Sequence, residues 1–156
     1  MNDTEEFLAS VLPRLLAADT ALHNGDAAQR KAMWSTTEPL TLFGAAMMTT
    51  GWPEIEATFD WLTTQLSDCT SFDIEVVAAG VSGDLAYLVA FEHTTASIGG
   101  KTPAPYTLRV TTIFRREAGT WKVVHRHADH LPDGGSAGER LSALNSSDTG
   151  ETRGSP

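Results

Sequence analysis

The hydrophobic pattern of this chain changes once, near residue 71, and that change limits what the chain can fold into. Before it, apolar residues recur every three or four positions, the spacing that places them on one face of a helix. Beyond it, apolar and polar residues alternate, which is typical of half-buried strands. Helices followed by strands in one short chain predict an α+β domain with the helices on one face of a curved sheet.

The elements on either side of this change can be placed individually. Asp3 and Glu6 have the spacing of a capping box at the start of the first helix, and Pro13 is expected to kink that helix or make it restart. Glycine-bearing turns separate the strands, which predicts an antiparallel meander. The predicted helices are 3–24, 27–34 and 52–68, and the predicted strands are 40–43, 72–79, 85–95, 106–116 and 121–130.

Composition excludes several classes of protein. The chain of 156 residues suits one domain, and a single cysteine, Cys69, excludes an internal disulfide and a cysteine-rich zinc site. The formal net charge of −9 argues against nucleic acid and anionic membrane surfaces as partners. The acidic N-terminus does not read as a signal peptide, and the apolar runs are too short to span a membrane. We therefore expect a soluble cytoplasmic protein.

The C-terminal part of the chain differs in composition from the rest. Residues 133–156 hold five glycines, five serines and one proline, and their sizeable apolar residues are Leu141 and Leu144. A segment with so little to bury is typical of a flexible tail. We predict a folded domain over residues 1–132 and a flexible tail over residues 133–156.

The turn between the last two strands decides which side chains share a face of the sheet. A three-residue loop with a bulge at Gly119 would pair Arg116 with Thr120. A different loop would pair Arg116 with Trp121. We favour the first register, because glycine readily adopts the positive φ that this loop requires.

The favoured register gathers polar side chains on one face, whereas the other register places Arg109 opposite Ala128 and separates them. The gathered face grades from apolar to polar, as a pocket inside a cone requires. The opposite face is then apolar enough to predict a homodimer through the outer side of the sheet. The expected pairs of the favoured register are Thr111 with His125, Arg109 with His127 and Thr107 with Asp129. The apolar residues assigned to the outer face are Tyr106, Leu108, Val110, Phe114 and Val124.

The stretch from Arg109 to His127 resembles the closing hairpin of the nuclear-transport-factor-2-like superfamily, which includes SnoaL-like and ketosteroid-isomerase-like domains. Gly51-Trp52 and Gly83-Asp84 add to this resemblance, which covers residues 5–131. It implies a cone-shaped fold, with three N-terminal helices packed on a strongly curved antiparallel or mixed sheet around a ligand cavity, usually as a dimer. Members include polyketide cyclases, isomerases, dehydratases and kinase association domains, so the fold alone leaves the activity open.

Acid–base chemistry is the function that the expected polar cluster favours. A carboxylate can orient an imidazole or take up a proton itself, so Asp129 and His127 are predicted catalytic residues, with Arg109 stabilising an enolate or carboxylate. The prediction is a cofactor-free cyclase, isomerase or dehydratase that abstracts a proton next to a carbonyl group of a hydrophobic or polycyclic ligand. The alternative is a non-catalytic pocket or association domain, in which the three residues only satisfy one another.

Further residues are predicted to line the pocket. Glu92 and His93 are neighbours on a strand, so one of them faces inward, and the sequence leaves open which. Residues 125–130 also spell HxHxDH, a metal-binding signature of a different fold, but no histidine follows His130, and no metal is predicted. Trp121 also fits a core position. The predicted ligand-binding residues are Trp34, Glu92, Thr111, Trp121 and His125.

Overall fold

A computed structural model describes residues 1–44, 46–132 and 136–148 of the chain. Within these ranges it has four helices and six strands. In chain order they are α1 (Asp3–Leu22), α2 (Ala28–Met33), β1 (Thr41–Gly44), β2 (Met47–Thr50), α3 (Trp52–Gln65), β3 (Leu66–Ser82), β4 (Leu85–Ile98), β5 (Ala104–Glu117), β6 (Thr120–His130) and α4 (Ala137–Asp148).

The capping box of α1 lies one residue earlier than the sequence pattern suggested. The side-chain Oδ1 of Asn2 accepts a hydrogen bond from the Glu5 amide at 2.9 Å, and the Glu5 carboxylate accepts one from the Asn2 amide at 3.0 Å. Pro13 lies inside α1, and the expected restart of the helix does not occur. Buried contacts of Val11 and Leu15 on either side hold the helix together despite the missing proline amide.

The six strands form one mixed sheet in the order β2-β1-β6-β5-β4-β3. β1 runs parallel to β6, and the other neighbouring strands are antiparallel. β2 was not foreseen from the sequence, and it forms a short hairpin with β1. Bulges interrupt the long β3–β4 and β5–β6 ladders, and such bulges bend and twist a sheet. The result is the predicted cone-shaped α+β fold, a curved sheet with helices packed against it.

Aromatic side chains pack together in the core between the helices and the sheet. Phe7 of α1 packs edge-on against Phe114 of β5 and Trp121 of β6, with ring centroids 5.1 and 5.3 Å apart. Trp34 packs against Phe59 of α3 at 5.9 Å. All five rings are buried. The face of β5 that carries Phe114 is therefore the inner face.

Near its turn, the β5–β6 hairpin adopts the register that was not favoured from the sequence. Glu117 pairs with Thr120, so the turn has two residues, Ala118 and Gly119, with φ of 49° and 80°. Positive φ at both positions is the geometry of a type I′ hairpin turn. The predicted pairing of Arg116 with Thr120 is therefore wrong, and Arg116 pairs with Trp121.

A bulge further along the same hairpin changes the register again. Ile113 pairs with His125 but the next residue, Phe114, pairs with Val123, which leaves Val124 as the extra residue of β6. Past the bulge, Thr111 pairs with His127 and Arg109 with Asp129. The predicted polar residues therefore share one face, as expected, although with different partners.

That polar face is the outer one, which corrects the expected orientation of the sheet. Val110 and Phe114, assigned to the outside from the sequence, are 4% and 0% exposed and pack under the helices. Tyr106 and Leu108 also lie on the inner side, where they line a cavity, and Val124 packs against the core. The helices cover the face with the larger apolar side chains, because that burial contributes most of the folding free energy.

Part of the predicted tail is helical. Residues 137–148 form α4, whose described side chains lie mostly at the surface. Residues 133–135 and 149–156, also assigned to the tail, lie outside the described residues. Across the part of the chain that the structure does describe, none of the helices combines the length and the apolar character needed to cross a membrane.

Candidate functional site

The inner face of the sheet forms one wall of a cavity of about 350 Å³. The other walls come from α1, α3 and the β1–β2 hairpin. Most of the lining is apolar, as is usual for sites that bind small organic molecules. Apolar lining residues include Leu22, Leu42, Phe59, Leu62, Leu108 and Ala128. Trp61, Ile98 and His130 also line the cavity and are exposed, so they mark its entrance.

Polar side chains from four different elements meet inside the cavity. Asp19 is on α1 and His23 directly follows the end of that helix, and their spacing of four residues places both side chains on the same side. Arg30 comes from α2, Tyr106 from β5 and Arg126 from β6, and all five residues line the cavity. A group of ionisable side chains inside an otherwise apolar cavity is a candidate functional site.

His23 and Tyr106 form a hydrogen-bonded pair whose proton positions follow from the geometry. Nδ1 of His23 lies 2.7 Å from the backbone carbonyl oxygen of Asp19. A carbonyl can only accept, so Nδ1 carries the proton. Nε2 then has a free lone pair and accepts from the Tyr106 hydroxyl at 2.6 Å. The Tyr106 oxygen also has the side chain of Thr94 as a hydrogen-bond partner, which leaves one of its two lone pairs.

Burial changes the acidity of both members of this pair. It lowers the pKa of His23, because a charged imidazolium loses hydration inside the protein, although the neighbouring Asp19 partly opposes the effect. It raises the pKa of Tyr106 for the same reason. His23 is therefore neutral at pH 7, and Tyr106 is protonated. A neutral imidazole bonded to a tyrosine hydroxyl can accept a proton through that hydroxyl.

Two buried ion pairs lie next to His23 and Tyr106. Arg126 donates from both terminal nitrogens to both carboxylate oxygens of Glu92, each at 2.7 Å, and Arg30 donates to Asp19. The second oxygen of Asp19 and Nε of Arg30 are buried without a hydrogen-bond partner among the described residues. The Asp19–Arg30 pair is therefore incompletely satisfied, whereas the Glu92–Arg126 pair is bidentate.

The two carboxyl groups respond differently to burial. Burial raises the pKa of Asp19, and the charge of Arg30 only partly counteracts this. Burial also acts to raise the pKa of Glu92, but the charge and hydrogen bonds of Arg126 outweigh it, so that the pKa of Glu92 is lowered. The pKa of Arg126 is raised in turn, because Glu92 outweighs the effect of burial. Glu92 and Arg126 are thus held charged, and Asp19 is the carboxyl group more readily protonated.

The three residues predicted to be catalytic lie outside this cavity. Arg109 and Asp129 form an ion pair on the outer face of the sheet, and His127 lies on the same face. The Arg109 side chain is 54% exposed and that of Asp129 is 35% exposed. The hydrogen bond from Arg109 lowers the pKa of Asp129, with a weaker opposing effect of burial. The expectation that these residues meet inside the cone is wrong, because the sheet faces the opposite way.

The predicted ligand-binding residues are distributed over both faces. His125 is on the outer face, where its Nδ1 lies 2.6 Å from the Thr41 hydroxyl, and Thr111 is exposed beside it. Trp34 and Trp121 are buried in the core. Glu92 is the inward-facing member of the pair left open by the sequence, and its neighbour His93 is exposed. Glu92 binds Arg126, which lines the cavity, so Glu92 acts on the site through that arginine.

The sequence reasoning missed Asp19, His23, Arg30, Tyr106 and Arg126. One signal for Asp19 was available, since it occupies a position on the apolar face of α1, four residues after Leu15. A charged residue at such a position needs a buried partner. No comparable signal marks Arg126, because the bulge at Val124 decides that it points inward.

Comparison with known proteins shows which solved structures share this fold. No curated protein matches the sequence. A candidate dehydratase from Streptomyces avermitilis superposes with a TM-score of 0.71 and 18% identity over 83% of this chain and 99% of that chain. A nuclear-transport-factor-2-like protein from Salmonella enterica serovar Typhimurium gives 0.69, with 19% identity over 85% and 94%. The CaMKII hub of S. rosetta gives 0.63, with 20% identity over 84% and 98%.

At these identities the structural similarities concern the fold alone. The sequence model of the SnoaL-like domain matches residues 13–131, which is most of the chain. This confirms the resemblance noted in the closing hairpin. The chain belongs to the SnoaL-like domain family.

Proposed function

We propose that the chain is a cofactor-independent enzyme of the dehydratase, isomerase or cyclase kind, acting on a small apolar carbonyl compound inside the cone. The observation that supports this is the His23–Tyr106 pair, a neutral imidazole hydrogen-bonded to a tyrosine hydroxyl inside an apolar cavity. Proton abstraction next to a carbonyl needs a base of moderate strength in a site that excludes water. His23, reached through Tyr106, is such a base.

The proposed proton path follows the hydrogen bonds. A proton leaves the carbon next to the carbonyl for the Tyr106 oxygen, while the tyrosine proton moves to Nε2 of His23. The electrons of the broken C–H bond move onto the carbonyl oxygen and form an enolate. In the imidazolium that results, Nδ1 keeps its proton and still donates it to the Asp19 carbonyl oxygen, and the positive charge is favoured by the charges of Asp19 and Glu92.

The same proton can complete more than one reaction. Returned to a different carbon, it gives an isomer, and delivered to a hydroxyl group on the neighbouring carbon, it gives water and an unsaturated carbonyl product. Arg30 and Arg126 supply positive charge near the developing enolate. The fold similarity to a candidate dehydratase agrees with this class of reaction.

The test is deuterium exchange, followed by NMR, at the carbon next to the carbonyl in β-keto and polycyclic aromatic compounds incubated with the protein in D₂O. We expect Tyr106→Phe and His23→Gln to slow exchange by roughly 100-fold, the lower end of what general acid–base catalysis contributes. The matched controls are Tyr87→Phe and His93→Gln, which change the same residue types at exposed outer-face positions. Equal exchange in Tyr106→Phe and the wild type would contradict the proposal.

The same assay examines the residues first assigned from the sequence. If Asp129→Asn rather than Tyr106→Phe abolishes exchange, the reaction takes place on the outer face, with Asp129, His127 and Arg109 as its machinery. We expect Asp129→Asn to retain exchange, because its carboxylate is committed to Arg109 outside the cavity.

A homodimer through the outer face of the sheet is a second proposal, and it would suit either an enzyme or a non-catalytic association domain. It is supported by exposed apolar side chains on that face, where Tyr87 and Ile113 are directly opposite each other on β4 and β5. The similarity to the CaMKII hub agrees with an assembly role. A cytoplasmic location also stays a prediction.

Sedimentation equilibrium tests the dimer. We expect the double variant Tyr87→Arg/Ile113→Arg to sediment as a monomer, whereas Leu16→Arg, an exposed change on α1 away from the outer face, leaves the dimer intact. A wild-type chain that sediments as a monomer would rule out this assembly.

A further inference from the structure

The entrance of the cavity is bordered by large apolar side chains in contact with water. Trp61 on α3 is 53% exposed, Ile98 at the end of β4 is 47% exposed, and both line the cavity. Exposed apolar surface of this kind beside a cavity is characteristic of a site that another segment or molecule covers.

The chain itself leaves the folded domain at this entrance. His130, the last residue of β6, lines the cavity. Residues 131–136 connect it to α4, and a connection of that length can span roughly 20 Å when extended. α4 therefore begins within reach of Trp61 and Ile98.

α4 has a defined start and an apolar pair of side chains to bury. The Ser136 hydroxyl accepts from the Glu139 amide and the Glu139 carboxylate accepts from the Ser136 amide, both at 3.2 Å, which makes a capping box. Leu141 and Leu144, three residues apart and hence on one face, are 63% and 66% exposed. A helix of 12 residues is marginal in water without tertiary contacts.

We propose that the entrance of the cavity is a docking surface for α4 of the same chain, with Leu141 and Leu144 packed on Trp61 and Ile98. Docking buries apolar side chains on both sides and adds tertiary contacts, which stabilise a short helix. A docked α4 also separates the cavity from water, and a ligand enters when the helix leaves. This inference concerns the entrance alone and holds whether or not the cavity is catalytic.

Quenching of tryptophan fluorescence by acrylamide tests the docking without any ligand. Trp34 and Trp121 are buried and Trp52 is half-buried, so Trp61 dominates the accessible signal. We compare the full chain with a chain ending at Pro132 and with the double variant Leu141→Ser/Leu144→Ser. Both changes are expected to raise the quenching constant of Trp61 by roughly twofold, because they return the covered part of the indole to water.

Two controls make the result specific. Ala143→Ser changes an exposed residue on α4 outside the Leu141–Leu144 face and leaves quenching as in the wild type. Trp61→Phe removes the difference between the full and shortened chains. Equal quenching in the full and shortened chains overturns the proposal. Shielding that grows with protein concentration also overturns it, because a second copy would then cover the entrance. Since no turnover is measured, the result is independent of the deuterium-exchange test.

Discussion

The two faces of the sheet carry the same kinds of side chains in different surroundings. On the inner face, Arg126 binds Glu92, and their side chains are 11% and 8% exposed. On the outer face, Arg109 binds Asp129, and those side chains are 54% and 35% exposed. Residue type and spacing are therefore no guide to which pair belongs to the site. Burial distinguishes them, because removing charges from water makes their pairing obligatory.

The histidines extend this comparison. His23 on the inner side lies next to two buried ion pairs and a tyrosine. His125 on the outer side contacts a threonine and the ring of Phe43. Burial lowers the pKa of both, and the neighbouring His127 contributes to the shift of His125. The inner histidine alone combines this shift with a cavity that can hold a ligand.

The largest difference between the faces is expected in stability. Arg126→Met leaves the buried Glu92 carboxylate without its partner, and breaking a buried pair in this way costs about 3–5 kcal/mol of unfolding free energy. Arg109→Met, the matched change outside, removes a pair that water already screens, so its urea midpoint should equal that of the wild type. Urea unfolding followed by circular dichroism measures both. Similar losses of unfolding free energy in the two variants would show that burial does not distinguish the inner ion pair from the outer one.

An intermediate effect is expected on ligand binding. Ala128 lines the cavity, whereas its neighbour His127 faces outward. Ala128→Phe fills part of the cavity and should weaken binding of an anilinonaphthalene sulfonate dye at least about tenfold, or ~1.4 kcal/mol. His127→Phe should leave dye binding unchanged. Fluorescence titration gives both affinities. If only His127→Phe weakens binding, the dye occupies the outer face instead.

The smallest effect is expected in the pH dependence of stability. The unfolded chain protonates His23 near its ordinary pKa of 6.5, whereas the folded chain resists protonation. Below that pH the unfolded state binds more protons, so the contribution of neutral His23 to stability is complete above pH 6.5 and is lost as the pH falls. His23→Gln should therefore flatten the loss of stability between pH 7.5 and 5.

Urea unfolding at a series of pH values measures this slope, and His125→Gln is the outer-face counterpart. The pKa of His125 is also lowered by burial, so this variant flattens the slope in the same direction. We expect a weaker effect, because His125 is only half-buried. An unchanged slope in His23→Gln would show that His23 has the same pKa in the folded and the unfolded chain, which would contradict the lowered pKa.

Much of the fold could be predicted from the sequence, but the site could not. Helical and alternating patterns located α1, α3 and the four long strands, because each pattern depends on local geometry. β2 was missed because Met47–Thr50 is short and completes its pairing only beside β1. The hairpin turn was misassigned because Ala118 adopts a positive φ that is uncommon for alanine.

The residues of the site were misplaced for a related reason. A shift of one residue in register moves a whole strand to the opposite face. The two-residue turn introduces one such change, and the bulge at Val124 introduces another further along the strand. Arg109, His127 and Asp129 stay together through both, which is why their grouping was expected. Their orientation depends on which face the helices cover.

The sequence by itself determined the order of the helices and the long strands and the shared face of the polar residues on β5 and β6, because both depend on periodicity along the chain. It also carried the resemblance to the family, in the residues of the closing hairpin. The tertiary structure decided which face of the sheet is the inside, and so which ionisable residues meet. Asp19, His23 and Tyr106 are brought together by the packing of α1 on the sheet. Contacts between residues so far apart depend on long-range burial, which no local pattern records.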